Sequence, residues 1–333
     1  MEENKTVQEI MPSLYQIQVP LPPGPLKVLN SYLVIGTERN LLIDAGMNFP
    51  ASIEAFERAF LELQLDVTKT DFLATHMHSD HSGLIAYLKS PASRVFASKE
   101  DGDRIWAIEN TPEEDFEKRA VGARLTGMPE EQIRDSFKNH PGFRYRGAGI
   151  GLIENLDDGD ELTYGPYRFQ IVTAPGHTSG HICLWEEEKG FLIAGDHVLG
   201  NISPNISLMG GEGNPLAEFL SSLEKIKKLN LKKILPGHRQ IIEDPNGRID
   251  ELIEHHHIRL NELEKLVAEK PGQSAYELAP LLTWRIRSRS WEDFPIAQKW
   301  FATAEANAHL RYLEREGRIQ SELVNGVFRF SVK

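Results

Sequence analysis

Residues 75–83 read THMHSDHSG and place three histidines and one aspartate within six consecutive positions. A predicted strand, DFLAT, precedes this stretch and a predicted helix, SGLIAYLK, overlaps its end, so the four side chains lie on a strand-to-helix loop. On such a loop His76 and His78 can turn to one point, while Asp80 and His81 can turn to a neighbouring one. Neutral imidazoles and a carboxylate are ligands that a borderline divalent metal such as zinc prefers. The stretch therefore predicts a metal site, against the alternative of a solvated polar loop.

Three later motifs supply further ligand-type residues, each directly after a predicted strand and each preceded by a glycine. The motifs and their candidate ligands are TAPGHTSGH with His177, LIAGDH with Asp196, and ILPGH with His238. The preceding glycines permit tight backbone turns that aim the ligand side chains inward. His181 and His197 lie beside these ligands, where they either orient a ligand or are strand residues bonded to backbone. We leave both out of the predicted ligand set.

These motifs, in this order, resemble those of the metallo-β-lactamase superfamily of αββα hydrolases, and the resemblance covers about residues 12–245. It implies that His76, His78 and His177 bind a first metal. It implies that Asp80, His81 and His238 bind a second metal and that the carboxylate of Asp196 bridges the two. A histidine at position 78 favours a hydrolase, because flavodiiron relatives carry glutamate there. The carboxylate at position 196 resembles glyoxalase II-like enzymes rather than the zinc β-lactamases that use cysteine, so antibiotic cleavage is not the expected activity.

The resemblance also implies a mechanism with two divalent metal ions, zinc being favoured and iron or manganese being alternatives. Two cations lower the pKa of a water between them from about 15.7 toward 7, which makes hydroxide available at neutral pH. The expected reaction is attack of this bridging hydroxide on a small ester or thioester. Asp80 can both bind a metal and accept a proton from the nucleophile, and it is the predicted catalytic residue.

The strand and helix patterns predict an α+β fold in which two β-sheets form an αββα sandwich flanked by helices. Strand-like runs from Leu14 to Ile43 precede helical spacing in residues 50–65, and a second strand-rich block spans about 151–195. We assign residues 1–247 to this domain, with a helical insertion at about 99–148 that is either a lid or a surface decoration. The insertion carries apolar residues sufficient for a pocket wall: Ile105, Trp106, Ile108, Phe116 and Leu125.

Residues 248–333 have a different pattern, in which helices precede two short β-runs joined by the hairpin signal Asn325-Gly326. This pattern predicts a small winged-helix-like domain, similar to the β-lactamase-like subgroup that includes single-stranded RNA endonucleases. From about residue 254 onward 12 Lys and Arg accompany 11 Asp and Glu, so this region is near neutral. One segment alternates cations with aromatic rings: Trp284, Arg285, Arg287, Arg289 and Trp291. It is either a surface on which nucleic-acid bases stack or a surface loop anchored in the core by its tryptophans, and we prefer the second interpretation.

The remaining histidines and the single cysteine are predicted to have no role at the metal. Residues 255–257 are consecutive histidines on a predicted helix, where neighbours point about 100 degrees apart, so a solvated helix face is expected. His140 and His309 have no partner motif. Cys183 lies in the strand-like run HICLW and is expected to be a small core residue.

Charge and composition limit the partners of the 333-residue chain. Its formal net charge of −12 disfavours a protein that binds nucleic acid over its whole surface. It has no run of about 18 apolar residues, no secretory signal pattern and one cysteine, so we expect a cytoplasmic protein without a membrane partner. A homodimer is left open.

The expected function is metal-dependent hydrolysis of a small-molecule ester or thioester. A metal-dependent endoribonuclease or other phosphodiesterase is the main alternative, and it would make nucleic acid the substrate. A lactonase and a non-catalytic metal-binding protein are further alternatives, and the full set of candidate ligands argues against the last.

Overall fold

The first of two large β-sheets contains seven strands whose spatial order follows the chain. The computed structural model describes residues 6–209, 212–284 and 290–333. The strands are β1 (Val7–Met11), β2 (Leu14–Pro20), β3 (Val28–Val34), β4 (Asn40–Ile43), β5 (Thr70–Leu73), β6 (Val95–Ala97) and β7 (Glu154–Asn155). Strands β1 to β4 pair antiparallel, and β4 to β7 pair parallel. The carboxyl ends of β4 and β5 therefore lie side by side.

Helices follow the strands of this sheet from β4 onward. They are α1 (Pro50–Glu62), α2 (Ser79–Ser82), α3 (Ile85–Leu88), α4 (Lys99–Asn110), α5 (Pro112–Leu125), α6 (Glu130–Asn139) and α7 (Pro141–Arg144). Helix α1 buries Phe56 and Ala59 in a cluster with Phe72 of β5, which covers the outer face of the sheet. Helices α4 to α7 occupy the chain between β6 and β7, where the sequence indicated a helical insertion.

The second sheet has five strands, in the spatial order β12-β11-β10-β9-β8. They are β8 (Glu161–Tyr164), β9 (Tyr167–Thr173), β10 (Ile182–Glu186), β11 (Phe191–Gly195) and β12 (Lys233–Pro236), and α8 (Pro215–Lys227) lies between the last two in the chain. Inward-facing residues of both sheets form one buried cluster, in which Tyr32 and Phe96 join Phe169 and Ile193. Each fully buried side chain of this size contributes about 1.5–3 kcal/mol. The predicted αββα sandwich is confirmed, and its core fixes the relative positions of the strand ends.

The described part of the C-terminal region consists of helices followed by a hairpin: α9 (Pro245–Glu269), α10 (Ala275–Leu278), α11 (Ile296–Arg315), β13 (Ile319–Val324) and β14 (Val327–Val332). The hairpin turn is confirmed, since Asn325 and Gly326 both have the positive φ that a two-residue turn of this kind needs. Leu260 and Leu310 share a buried cluster with Ile234 of β12, so these helices cover the outer face of the second sheet. A boundary between residues 247 and 248 would fall inside α9, and both the domain division and the winged-helix assignment stay predictions.

The apolar residues predicted to form one pocket wall face different surroundings. Ile105 packs into the core of the first sheet, whereas Phe116 belongs to a separate cluster with Phe143 and Trp300 of α11. Trp106 is half exposed. That prediction is wrong because α4 uses its apolar face to dock on the sandwich, while α5 and α6 pack against α11. Among the described helices, none is both long enough and apolar enough to cross a lipid bilayer.

Candidate metal centre

Seven ligand-type side chains converge at one edge of the sandwich. Their ligand atoms form overlapping groups within 4.8 Å: His76, His78 and His177; His76, His81 and Asp196; and Asp80, His81 and His238. The structure thus brings together all seven residues that the sequence nominated. Residues 79–82 form the short helix α2 instead of the predicted loop, because the amides of residues 81 and 82 both donate to the carbonyl of residue 78.

The first group consists of His76, His78 and His177. Nδ1 of His78 lies 3.0 Å from Nε2 of His76 and 3.1 Å from Nε2 of His177, so three ring nitrogens face one point. Burial lowers the pKa of His76 well below its ordinary value and the pKa of His78 to about 3, and the neighbouring imidazoles add to this effect. These two rings are therefore neutral at physiological pH, which is the form that binds metals.

The second group consists of Asp80, His81 and His238. Nε2 of His238 lies 3.3 Å from Oδ2 of Asp80 and 3.5 Å from Oδ1 of Asp196, and Nε2 of His81 lies 3.4 Å from the same Oδ1. Both ring nitrogens and this Oδ1 are buried and make no hydrogen bond within the described residues. Leaving such an atom unsatisfied costs about 1–3 kcal/mol. Three of them facing each other fit a shared cation, whose charge would satisfy all three.

Asp196 lies between the two groups. Its Oδ1 faces His81 and His238, while its Oδ2 lies 3.9 Å from Nε2 of His177 in the first group. Burial alone would raise the pKa of this carboxyl, but His238 and His81 outweigh burial and hold the pKa far below its usual range. Asp196 is therefore an ionised carboxylate with one oxygen directed toward each group.

The outer nitrogens of three rings donate to oxygens that can only accept. The distances are 2.8 Å from His81 Nδ1 to Asp44 Oδ2, 2.8 Å from His238 Nδ1 to the Val28 carbonyl, and 2.9 Å from His177 Nδ1 to the Asn205 carbonyl. When such a ring is neutral, as a metal ligand must be, this contact holds its proton on Nδ1. The lone pair of Nε2 then faces the centre, as metal-binding histidines require.

Asp44 is a functional residue that the sequence interpretation missed. It follows β4, and its carboxylate accepts from the amide and hydroxyl of Thr75 as well as from His81. Its φ of 62° is unusual for a residue other than glycine, and such strain is common where a side chain must be aimed accurately. An acidic residue directly after a buried strand, in LLIDAG, was the available signal.

Asp101 was missed as well. This buried residue of α4 accepts from the amides of Met77 and Gly180, each at 3.0 Å, and from the hydroxyl of Thr178 at 2.5 Å. It thereby connects the loop that carries His76 and His78 to the loop that carries His177. The first helix of the insertion consequently holds the two halves of the first group in register.

Other histidines near the centre have supporting roles or none. His181 stacks on His76, with ring centroids 5.1 Å apart, and its Nε2 accepts from the amide of Asp196 at 3.2 Å. His181 is thus bonded to backbone, which was one of the two alternatives, and the amide from which it accepts belongs to a candidate ligand. His197 packs against Phe219, and neither of its ring nitrogens makes a hydrogen bond within the described residues.

The histidines of the C-terminal region correct one prediction. His256 is fully buried, and its Nδ1 lies 3.0 Å from Nε2 of His309. The predicted solvated face is wrong for this residue, because α11 packs over that side of α9.

Glu305 of α11 is linked to the metal centre through Asn205. Its carboxylate accepts at 2.7 Å from the side chain of Asn205, and the carbonyl of Asn205 accepts from Nδ1 of His177.

The segment with alternating cations and aromatics is described only at its ends. Trp284 donates through its ring N–H to the Ala279 carbonyl and stacks under Arg259, and Trp291 packs against the same C-terminal core. Both tryptophans therefore anchor the segment, in agreement with the interpretation preferred from the sequence. The predicted cations Arg285, Arg287 and Arg289 lie outside the described residues.

Comparison with known proteins agrees with this geometry. The family model described as the metallo-beta-lactamase superfamily matches residues 25–238, a range that contains all seven converging residues. A metallo-beta-lactamase family protein from Thermus thermophilus superposes with a TM-score of 0.82 at 31% identity, over 98% of this chain and 100% of that protein. The structural similarity therefore extends through the helical insertion and the C-terminal helices.

Two curated relatives are similar at lower identity. A beta-lactamase-like protein 2 homolog from Caenorhabditis elegans is 24% identical over 302 residues, which span 90% of this chain and 83% of the relative. The acyl-coenzyme A thioesterase MBLAC2 of Gallus gallus is 26% identical over 217 residues, which span 63% of this chain and 72% of the relative.

Proposed function

Because the chain belongs to the metallo-β-lactamase superfamily and is a metal-dependent hydrolase, we propose that it cleaves acyl thioesters, with an acyl-coenzyme A as the substrate class. The observation that carries the metal dependence is the set of buried, unsatisfied atoms on His81, His238 and Asp196. The thioester assignment is supported by the similarity to a relative named as an acyl-coenzyme A thioesterase.

We propose two ions, the first held by His76, His78 and His177, and the second by Asp80, His81 and His238, with Asp196 shared. The donor set is nitrogen and carboxylate oxygen without sulfur, which suits zinc and also admits iron or manganese. When bound, such ions supply Lewis acidity, which stabilises the negative charge that develops on the carbonyl oxygen and on the water nucleophile.

Asp80 is proposed as the residue that handles the proton. Its side chain is 12% exposed, whereas those of His81 and His238 are fully buried, so a water molecule and a substrate can reach the carboxylate. Burial would raise the pKa of Asp80, but His81 and His238 outweigh burial and keep the group ionised. It can accept a proton from water as the C–O bond forms, and it can return that proton to the leaving sulfur as the C–S bond breaks.

A substrate panel tests the proposal. The parent protein should hydrolyse a fatty-acyl thioester, and Asp80→Asn should lower kcat by at least about 100-fold while retaining more metal than His76→Ala. Asp71→Asn is the matched control, because Asp71 is also buried but is bonded to Arg39 and Arg94 away from the centre.

The panel should also contain a lactone, a phosphodiester and single-stranded RNA. Binding of RNA through its phosphates would weaken steeply as salt rises. Efficient RNA cleavage with that salt dependence, together with inactivity toward thioesters, would replace this proposal by the nuclease alternative. Parent-like turnover by Asp80→Asn would contradict its assigned role.

A further inference from the structure

We propose that a depression on the helical insertion binds the nucleotide end of the substrate, an adenosine phosphate. This inference rests on the proposed thioesterase function and adds a second binding site outside the metal centre. The depression has a volume of about 360 Å³ and lies between α5, α6 and α7. The residues that matter for binding are Phe137, Lys138, Phe143, Arg144, Arg146 and Glu113.

The charge of this depression is positive in a strongly negative chain. Lys138, Arg144 and Arg146 line it together with the carboxylate of Glu113. In the described part of the chain, no carboxylate lies at ion-pair distance from these three cations, and Glu109 acts on Arg146 only from farther away.

Arginines on the neighbouring helices differ in this respect. Each is ion-paired with a carboxylate: Arg104 and Arg119 with Asp115, and Arg124 and Arg134 with Glu130. Arg146 donates to the carbonyl of Phe143, and Arg144 lies over the ring of Tyr145. Neither contact neutralises a guanidinium charge, so the charges of the depression remain available for an anionic ligand. With a net charge of −12, the chain would repel a polyphosphate unless cations were concentrated where the phosphates bind.

The apolar part of the lining is aromatic. The rings of Phe137 and Phe143 meet edge to face with centroids 4.6 Å apart, and Phe143 is buried against Phe116 and Trp300. Phe143 thus supports the partly exposed ring of Phe137, on which a base can stack. An aromatic surface beside guanidinium and ammonium groups is the combination that nucleotides select, because the base stacks while the phosphates form charge-assisted hydrogen bonds. A simple uncharged ester would not use these cations, and the single carboxylate of a fatty acid would not use the aromatic wall for stacking.

The depression is connected to the metal centre through the chain itself. The carbonyl of Gly142 accepts from the hydroxyl of Ser79 at 2.6 Å, and Ser79 lies between His78 and Asp80. The carbonyl of Tyr145 accepts from the amide of Asn48 at 3.0 Å. Residues 142 and 145 are thus fixed, the first to the ligand-bearing helix α2 and the second to the segment between β4 and α1. In a coenzyme A thioester, a flexible arm separates the sulfur from the phosphates, so the two ends need two sites.

The test compares two thioesters of the same acyl group, one of coenzyme A and one of N-acetylcysteamine, which has no nucleotide. The variant is Lys138→Glu/Arg144→Glu, and the control is Arg58→Glu/Lys69→Glu, which makes the same charge change at exposed positions on α1 and just before β5. We expect the variant to raise KM for the coenzyme A thioester about tenfold more than KM for the other substrate, with kcat retained. The control should not discriminate.

Equal effects of the variant on both thioesters would overturn the inference while leaving the thioesterase function in place. If the parent hydrolyses neither thioester, the proposed function fails. Calorimetric titration with adenosine 3′,5′-bisphosphate then tests whether the depression binds a nucleotide. Binding by the parent that weakens about tenfold in the variant supports the site. A parent that does not bind this nucleotide, or a variant that binds it equally well, contradicts the site.

Discussion

Replacement of Asp44 by asparagine should weaken metal binding although Asp44 is not a proposed ligand. Its carboxylate is 1% exposed and accepts from the amide of Thr75, from the hydroxyl of Thr75 and from Nδ1 of His81. An asparagine has one oxygen and one NH2 group in place of the two oxygens. Its NH2 group must therefore face at least one of these donors.

The magnitude depends on which way the new amide points. With NH2 toward Thr75, a buried N–H loses its acceptor, which costs about 1–3 kcal/mol of folding free energy. With NH2 toward His81, the ring must change tautomer, so Nε2 carries the proton and cannot bind a cation. Loss of such an orienting partner typically lowers metal affinity about 10- to 100-fold, which corresponds to about 1.4–2.8 kcal/mol. The second group should be affected more than the first, because His78 and His177 do not contact Asp44.

The assay is competition with a chromophoric chelator for the weaker and the tighter metal equivalents, combined with chemical unfolding. Asp71→Asn serves as control, because it should cost stability without changing either metal affinity. Parent-like affinities in Asp44→Asn would refute the reasoning. So would equal losses of affinity in the two variants, because these would reflect general destabilisation.

Three further predictions concern the loops, the C-terminal helices and pH. Gly176→Ala should release metal from the first group, as measured by elemental analysis, because a Cβ there would collide with Cβ of Phe219; retained metal would refute this. Glu305→Leu should lower metal affinity in chelator competition, since it frees the side chain of Asn205, and an unchanged affinity would show that this contact is only structural. Burial would raise the pKa of Asp71, but hydrogen bonds from Arg39, Arg94 and Tyr164 outweigh burial and lower this pKa from 3.8 to about 2. Its stabilisation is therefore present above pH about 4 and lost as pH falls toward 2. The difference in unfolding free energy between the parent and Asp71→Asn should shrink by about 1 kcal/mol from pH 5 to pH 3, and a constant difference would contradict the lowered pKa.

The candidate ligands could be predicted because each follows a recognisable strand. Neighbouring strand ends meet at one edge of a sheet, so motifs far apart in the chain become neighbours once the sheets are correctly assigned. The glycines before them were informative too: Gly176 has a positive φ of 138°, whereas Gly237 has no positive φ and instead leaves room for Asp196, 2.7 Å from where a Cβ would be. Local sequence patterns were therefore sufficient to predict the candidate metal ligands.

The supporting residues could not be predicted in the same way. Asp44 lies 37 positions from His81, and Asp101 lies 77 positions from Thr178, so each contact depends on how two distant segments dock. A single acidic residue after a strand or in a helix has no periodicity that reveals its partner. For His256, helical geometry gave the angle between neighbouring side chains correctly, but only the packing of α11 determines which side is buried.

The most direct test of the two-ion proposal is elemental analysis of the purified full-length chain after reconstitution with zinc and removal of loosely bound metal. The seven converging side chains and the unsatisfied atoms of His81, His238 and Asp196 predict close to two equivalents per chain. His177→Ala, which removes one member of the first group, should lower this value toward one. A parent chain that retains one equivalent or none under these conditions would contradict the two-ion centre.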